Sequence, residues 1–140
     1  MKKYFLLLII VFFFFNHAYS SEIIGKKLIC KYDKIYYGIN FVKEGIGKNG
    51  NAIIYEINTD FKGWNVIKNK GLAVDSIPIE LTPNKIRIGN IGTLDRENLT
   101  YRQLGPKTYC EIVNQDFDLE NEMNKILESL IKEQKEKNKI

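Results

Sequence analysis

The sequence predicts a mainly β fold: a small antiparallel β-barrel or sandwich of about seven or eight strands with one C-terminal amphipathic α-helix. Short stretches of alternating apolar residues recur about every ten residues and are separated by turns rich in Gly, Asn, Asp and Pro. The two cysteines, Cys30 and Cys110, lie in the first and the last of these stretches. From Asp116 onward the apolar spacing changes to that of a helix.

Residues 1–20 have the features of a secretory signal peptide. Two lysines precede an unbroken run of eleven apolar residues, 5–15, and Ala18 and Ser20 provide the small residues of a cleavage site. A transmembrane helix needs about 20 apolar residues, so this run is too short to be an anchor. We therefore expect a mature chain that begins at Ser21, lacks a transmembrane anchor and is periplasmic or secreted.

Cys30 and Cys110 are the only cysteines, and an even number of cysteines in an exported chain favours disulfide pairing. A bond between them would close a loop of about eighty residues, to which the chain-entropy model assigns roughly 4 kcal/mol. The alternatives are two buried free thiols or a metal pair, but no third ligand of matching type is near them in the sequence. We predict a disulfide, and we expect neither a metal nor a cofactor.

The first half of the mature chain contains four predicted strands, because apolar residues alternate with polar ones in each. They are Leu28–Tyr32, Tyr36–Val42, Ala52–Ile57 and Trp64–Asn69. The segment 44–51 between the second and third strands carries three glycines and is predicted to be a loop. The only tryptophan begins the fourth strand.

The second half contains the remaining predicted strands, Ile77–Leu81, Ile86–Ile88, Leu99–Tyr101 and Thr108–Val113. Because Pro78 has no backbone N–H, we expect its strand to lie at an edge of the sheet or to contain a bulge. We interpret 89–92 as a loosened stretch and 95–98 as a compact polar turn between two strands.

The C-terminal tail predicts a helix with one apolar stripe, capped by Asp116 or Asp118. The stripe consists of Leu119, Met123, Ile126, Leu127, Leu130 and Ile131. It is expected to dock on the domain's own sheet or to pair with another helix. Beyond Lys132 the chain is almost entirely polar and is expected to fray. The predicted organisation is a signal peptide (1–20), a β domain (21–115) and a helix with a charged tail (116–140).

Several enzyme classes are excluded by composition. The only histidine, His17, lies in the predicted signal peptide, so the mature chain has no imidazole for general base catalysis or for zinc. No phosphate-binding loop of the Gly-rich type is present. After loss of two lysines with the leader, nineteen basic side chains face seventeen acidic ones, which is too small an excess to indicate nucleic acid binding.

Carboxylates remain as candidate catalytic groups, because glycoside hydrolysis needs only two acids held about 5 to 10 Å apart. The available acids are Asp33, Glu44, Glu56, Asp60, Asp75, Glu80, Asp95 and Glu97. Most of them lie in predicted turns, where they are better explained as solvated side chains. A two-carboxylate hydrolase of an envelope glycan is therefore kept as an alternative function.

Aromatic residues are the candidate ligand-binding groups. If they faced the inside of one barrel, these residues would line a pocket for a small apolar ligand. They are Tyr37, Tyr55, Trp64 and Tyr101, with Tyr36 and Phe61. The alternative is that they fill the core. In outline, an exported β domain with one long-range disulfide is similar to small periplasmic lysozyme inhibitors and to lipocalin-like barrels, but it carries the signature residues of neither. The likeness is one of architecture and does not imply function.

From these observations we expect an exported, non-enzymatic binding protein of the cell envelope. Its partner would be a small apolar ligand or an envelope protein. A helix-mediated interaction or assembly module is the further alternative, and it depends on an apolar stripe that does not pack on the domain itself.

Overall fold

A computed structural model describes residues 22–59 and 63–139. The predicted signal peptide lies outside these residues. The described chain forms nine strands and a C-terminal helix. They are β1 Lys27–Tyr32, β2 Ile35–Val42, β3 Asn51–Asn58, β4 Asn65–Lys68, β5 Ile77–Leu81, β6 Lys85–Ile88, β7 Gly92–Asp95, β8 Thr100–Arg102, β9 Thr108–Val113 and α1 Leu119–Lys137.

Eight of the strands close an antiparallel barrel in the order β2-β1-β9-β8-β7-β6-β5-β3, because β2 also pairs with β3. The ninth strand, β4, pairs with the C-terminal half of β3 outside this closure. The predicted fold class, a mainly β barrel or sandwich with one C-terminal helix, is confirmed, and the barrel form is the one adopted.

The hairpin of β6 and β7 differs from the prediction, which placed a loosened stretch at 89–92. The chain reverses tightly at Gly89, where φ is +48°, and Ile91 N–H donates to the Ile88 carbonyl at 3.0 Å. Strand β7 then pairs with β6 so that Leu94 lies opposite Ile86 inside the barrel. A four-residue strand with one buried apolar residue is too short to show alternation.

Strand β5 lies between β3 and β6 and not at an edge, contrary to one of the two expectations for Pro78. Its ladder with β6 ends at the pair Ile79↔Ile88. Pro78 lies one residue beyond that end, where its carbonyl still accepts from Gly89 N–H at 2.9 Å. The missing N–H therefore costs only a terminal hydrogen bond, and an internal position is tolerated.

The barrel interior is filled by alternate side chains of its strands. The largest fully buried apolar residues there are Leu28, Ile39, Phe41, Ile86, Ile88, Leu94 and Tyr101. Cys30 on β1 lies directly opposite Cys110 on β9, and the two form the predicted disulfide. Such a bond is typical of proteins in an oxidising compartment outside the cytoplasm.

Helix α1 packs on the outer face of the sheet formed by β2, β3 and β4. Asp118 caps it, as predicted, by accepting from Asn121 N–H at 3.1 Å. Leu119, Met123 and Leu127 are buried against the sheet, so the apolar stripe is used within the domain. The helix extends to Lys137, past the predicted start of the fraying tail at Lys132. No helix in the described chain has the length and apolarity to cross a membrane.

Candidate functional site

Two of the four predicted ligand-lining residues, Tyr37 and Tyr101, lie inside the barrel. Their ring centroids are 5.2 Å apart in an edge-to-face arrangement. Burial raises the pKa of both phenols, and that of Tyr101 most strongly. They are core residues that pack against each other and stay protonated.

The other two, Tyr55 and Trp64, lie outside the barrel in the cluster beneath α1. Burial also raises the pKa of Tyr55. Tyr36, on the same outer side, has the Lys31 ammonium 5.4 Å from its ring centroid, and Phe61 lies outside the described residues. The barrel wall therefore separates the predicted aromatic set into two clusters, and its members do not line a common pocket.

A chain of polar contacts leads from the barrel core to the surface. Tyr101 OH donates to Gln103 Oε1 at 3.0 Å, and Gln103 Nε2 donates to Glu56 Oε2 at 3.3 Å. The second carboxylate oxygen, Oε1, accepts from Lys70 Nζ at 3.2 Å. Both oxygens of Glu56 thus have structural partners.

The other candidate acids for hydrolysis lie mostly at exposed positions. Glu80 is paired with Arg87 at 2.8 Å. Asp95 Oδ1 accepts from the backbone N–H groups of Asn98 and Glu97, and the bond from Asn98 contributes most to lowering its pKa. Asp60 lies outside the described residues. Within the described ranges, no three Cys, Asp or Glu side chains come together as metal ligands would.

A surface that the sequence analysis did not single out is formed by two loops. They are the β2–β3 loop, 43–50, and the β4–β5 loop, 69–76, which together we call the apolar loop pair. Ile46 is 90% exposed, Val74 50% and Leu72 43%. The three side chains border one surface pocket of 510 Å³, with Gly45, Ala73, Asp75 and Ser76. Exposed aliphatic groups gathered around one pocket make the loop pair a candidate interaction site.

The β4–β5 loop is fixed by the buried side chain of Asn69. Its Oδ1 accepts from Ile54 N–H at 2.9 Å, and its Nδ2 donates to the carbonyls of Val74 and Asp75, each at 2.9 Å. Asn69 has φ +47°, a backbone conformation that Asn tolerates better than most residues. The hydrogen bonds of Asn69 therefore fix the conformation of the loop, which has no apolar core of its own.

The β2–β3 loop is fixed by contacts around the buried Asn51. Asn51 Oδ1 accepts from Gly47 N–H at 3.2 Å, and Ser76 Oγ donates to the Glu44 carbonyl at 3.2 Å, which joins the two loops. Gly45 has φ +130°, and a Cβ there would lie 2.5 Å from Asn51 Nδ2. Only glycine fits this position, so the loop can adopt this backbone conformation because residue 45 has no Cβ.

No family model, curated protein or solved structure matches this chain. The site is therefore interpreted from its own geometry. The signal in the sequence was the presence of Ile46, Leu72 and Val74 inside segments otherwise typical of turns, where apolar residues have no strand or helix face to join.

The charges on the loop pair are nearly balanced. Lys43 and Lys48 stand against Glu44 and Asp75, and Lys70 is engaged with Glu56. Binding at this surface would therefore draw its free energy from apolar burial more than from net charge.

Proposed function

We propose that this protein is an exported, non-enzymatic binding protein that captures a protein partner of the cell envelope through the apolar loop pair. The observation that carries the proposal is the exposure of Ile46, Leu72 and Val74 on two loops that side-chain hydrogen bonds of Asn69 and Ser76 hold in place. Ordered loops lose little conformational freedom on binding, so exposed apolar area on them is converted into affinity efficiently.

The filled barrel favours a protein partner over a small apolar ligand. Carriers of the barrel type keep an internal cavity, whereas here Phe41, Ile39 and Tyr101 occupy the interior. A pocket of 280 Å³ reaches Leu28 and Leu94, but charged side chains also line it, so it does not suit an apolar ligand. Export to the periplasm or the cell exterior is supported by the Cys30–Cys110 disulfide and by the sequence features of residues 1–20.

The exposure and the charges of the loop pair indicate what kind of partner it would bind. Ile46 stands almost fully exposed on a loop between two strands, so its complement is a concave apolar site. The balanced charges of the loops argue against an anionic membrane surface, which attracts clusters of Lys and Arg. We therefore expect a protein with an apolar cleft.

Site-specific photo-crosslinking in the native host tests this function. A photoreactive amino acid replaces Ile46 in one variant and Leu104 in the control, because Leu104 is 92% exposed on a different loop. We expect one protein to crosslink from position 46 and not from position 104. With that partner purified, Ile46→Ser should weaken binding by roughly 10- to 100-fold, since a buried Ile contributes roughly 1.5–3 kcal/mol, and Leu104→Ser should not.

Two results would contradict the proposal. Equal crosslinking from both positions would show that the loop pair has no special affinity. Co-sedimentation of the mature protein with vesicles of phosphatidylethanolamine and phosphatidylglycerol, lost in Ile46→Ser, would show that the loops insert into lipid and not into a protein.

A further inference from the structure

Strand β4 is exceptional in the sheet. Within the described residues it is hydrogen-bonded to β3 alone, whereas each of the other strands has at least two neighbours. Its four residues, Asn65–Lys68, therefore form an edge, which we call the β4 edge. Exposed edges present backbone donors and acceptors to another extended chain.

The register identifies the groups that face outward from the β4 edge. Asn69 N–H donates to the Ile54 carbonyl at 2.6 Å, so residue 69 is oriented toward β3. Orientation alternates along an antiparallel strand, and Ile67 therefore also faces β3. The N–H and C=O groups of Val66 and Lys68 then point away from the barrel, at the spacing that an added strand requires.

A groove begins where β4 begins. It has a volume of 330 Å³ and is lined by Trp64, Ile131, Gln134, Lys135 and Asn138. We call it the Trp64 groove. Trp64 is half-buried and packs on the cluster beneath α1, so the indole is a fixed wall of the groove. A groove with an aromatic wall beside a strand edge can receive one side chain of a segment that lies along that edge.

Two exposed cationic side chains border this surface. Lys68 on the β4 edge and Lys135 in the groove are exposed. The nearby Glu133 carboxylate is occupied by Lys137 Nζ at 2.7 Å. The cationic side chains would therefore be complemented by acidic residues of a ligand.

We infer that the β4 edge and the Trp64 groove bind an extended polypeptide segment of another protein. The segment adds as a strand beside β4, places a large apolar side chain in the groove, and carries acidic residues opposite Lys68 and Lys135. A second copy of this chain is a poorer occupant, because pairing of two four-residue edges buries far less than the roughly 1,200 Å² of a stable interface. The inference rests on β4 and α1 and does not depend on the apolar loop pair.

Selection of random linear peptides displayed on phage tests the inference. The mature protein, residues 21–140, is the bait, and its Lys68→Pro variant is used for counter-selection. Proline removes the outward N–H at an exposed edge position where no internal ladder bond is lost. Lys68→Gln keeps the N–H and removes the charge, and it serves as the matched control. Thermal unfolding of each variant confirms that the fold is retained.

We expect the selected peptides to alternate apolar and acidic residues. Their affinity should fall about tenfold in Lys68→Pro, close to the upper value for one hydrogen bond, and much less in Lys68→Gln. Because Trp64 is the only tryptophan, its fluorescence should shift on binding and report occupation of the groove. Lys135→Glu should weaken acidic peptides specifically.

Three results would overturn the inference: no peptide enriched over the counter-selection, peptides that bind both proteins equally, or binding without a change in Trp64 fluorescence. Concentration-dependent dimerisation of the mature protein that Lys68→Pro abolishes would also overturn it, since a second copy would then occupy the edge.

Discussion

At the residue scale, Asn69 connects the β-sheet with the proposed binding surface. Its backbone N–H and side-chain Oδ1 continue the hydrogen-bonding pattern of β3 for one step beyond β4. Its Nδ2 holds the Val74 and Asp75 carbonyls. The buried Asn69 side chain thus makes the hydrogen bonds to β3 that a longer β4 would make. It also fixes the position of the loop that carries Leu72 and Val74.

Replacing Asn69 by Asp is expected to destabilise the protein. The carboxylate keeps an acceptor for Ile54 N–H but turns a donor into an acceptor that faces two carbonyls. Losing two partly buried hydrogen bonds, with repulsion in their place, should cost about 2–4 kcal/mol in the free energy of unfolding. Chemical denaturation measures this cost. Asn90→Asp, at an exposed position, is the control, and equal stability of both variants would contradict this role.

At the scale of elements, Gly38 determines how closely α1 approaches β2. A Cβ at this position would lie 3.1 Å from Leu119 Cγ and 3.1 Å from Met123 Cγ. Both side chains are almost completely buried, and Met123 is fully so. The helix therefore packs directly against the strand backbone, which explains why its apolar stripe docks on this part of the sheet.

A double-mutant cycle between Gly38 and Met123 tests this packing. Gly38→Val should cost about 1–3 kcal/mol because it overpacks the interface, and Met123→Ala should cost about 2–5 kcal/mol because it leaves a cavity. The new valine fills part of that cavity, so the double variant should be more stable than the sum of the single changes predicts. Urea unfolding measures all four proteins. Additive costs would show that the two residues do not share an interface.

At the scale of the whole molecule, the disulfide connects the first and the last strand of the barrel. Cys30 and Cys110 are 80 residues apart in sequence but directly opposite in register. Five register pairs between β1 and β9 would still close the sheet without the bond. The disulfide therefore stabilises the fold mainly by lowering the conformational entropy of the unfolded chain.

The double substitution Cys30→Ser and Cys110→Ser should lower the free energy of unfolding by roughly 4 kcal/mol, with the β-sheet signal in circular dichroism retained. Denaturation of the oxidised protein and of the variant gives this difference. Alkylation of the unreduced exported protein, followed by intact mass measurement, is the independent check. Two alkylated cysteines would contradict the assignment, and a difference near zero would show that the bond is not what stabilises the barrel.

Features that depend on local periodicity could be predicted from the sequence alone. Alternation around Leu28, Ile39 and Tyr55 predicted strands, the helical spacing of Leu119, Met123 and Leu127 predicted α1, and two cysteines in phase with apolar neighbours predicted their bond. These predictions succeeded because burial on one face of a strand or helix leaves a period in the sequence itself.

Features that depend on which strands become neighbours became visible only in the folded chain. Closure of the barrel placed Tyr37 and Tyr101 inside and left Tyr55 and Trp64 outside under α1. It also gave Pro78 an internal strand, left β4 as an edge, and brought Ile46 beside Val74. Non-local pairing fixes these relations, because strands distant in the chain meet through a register that no single stretch of sequence encodes.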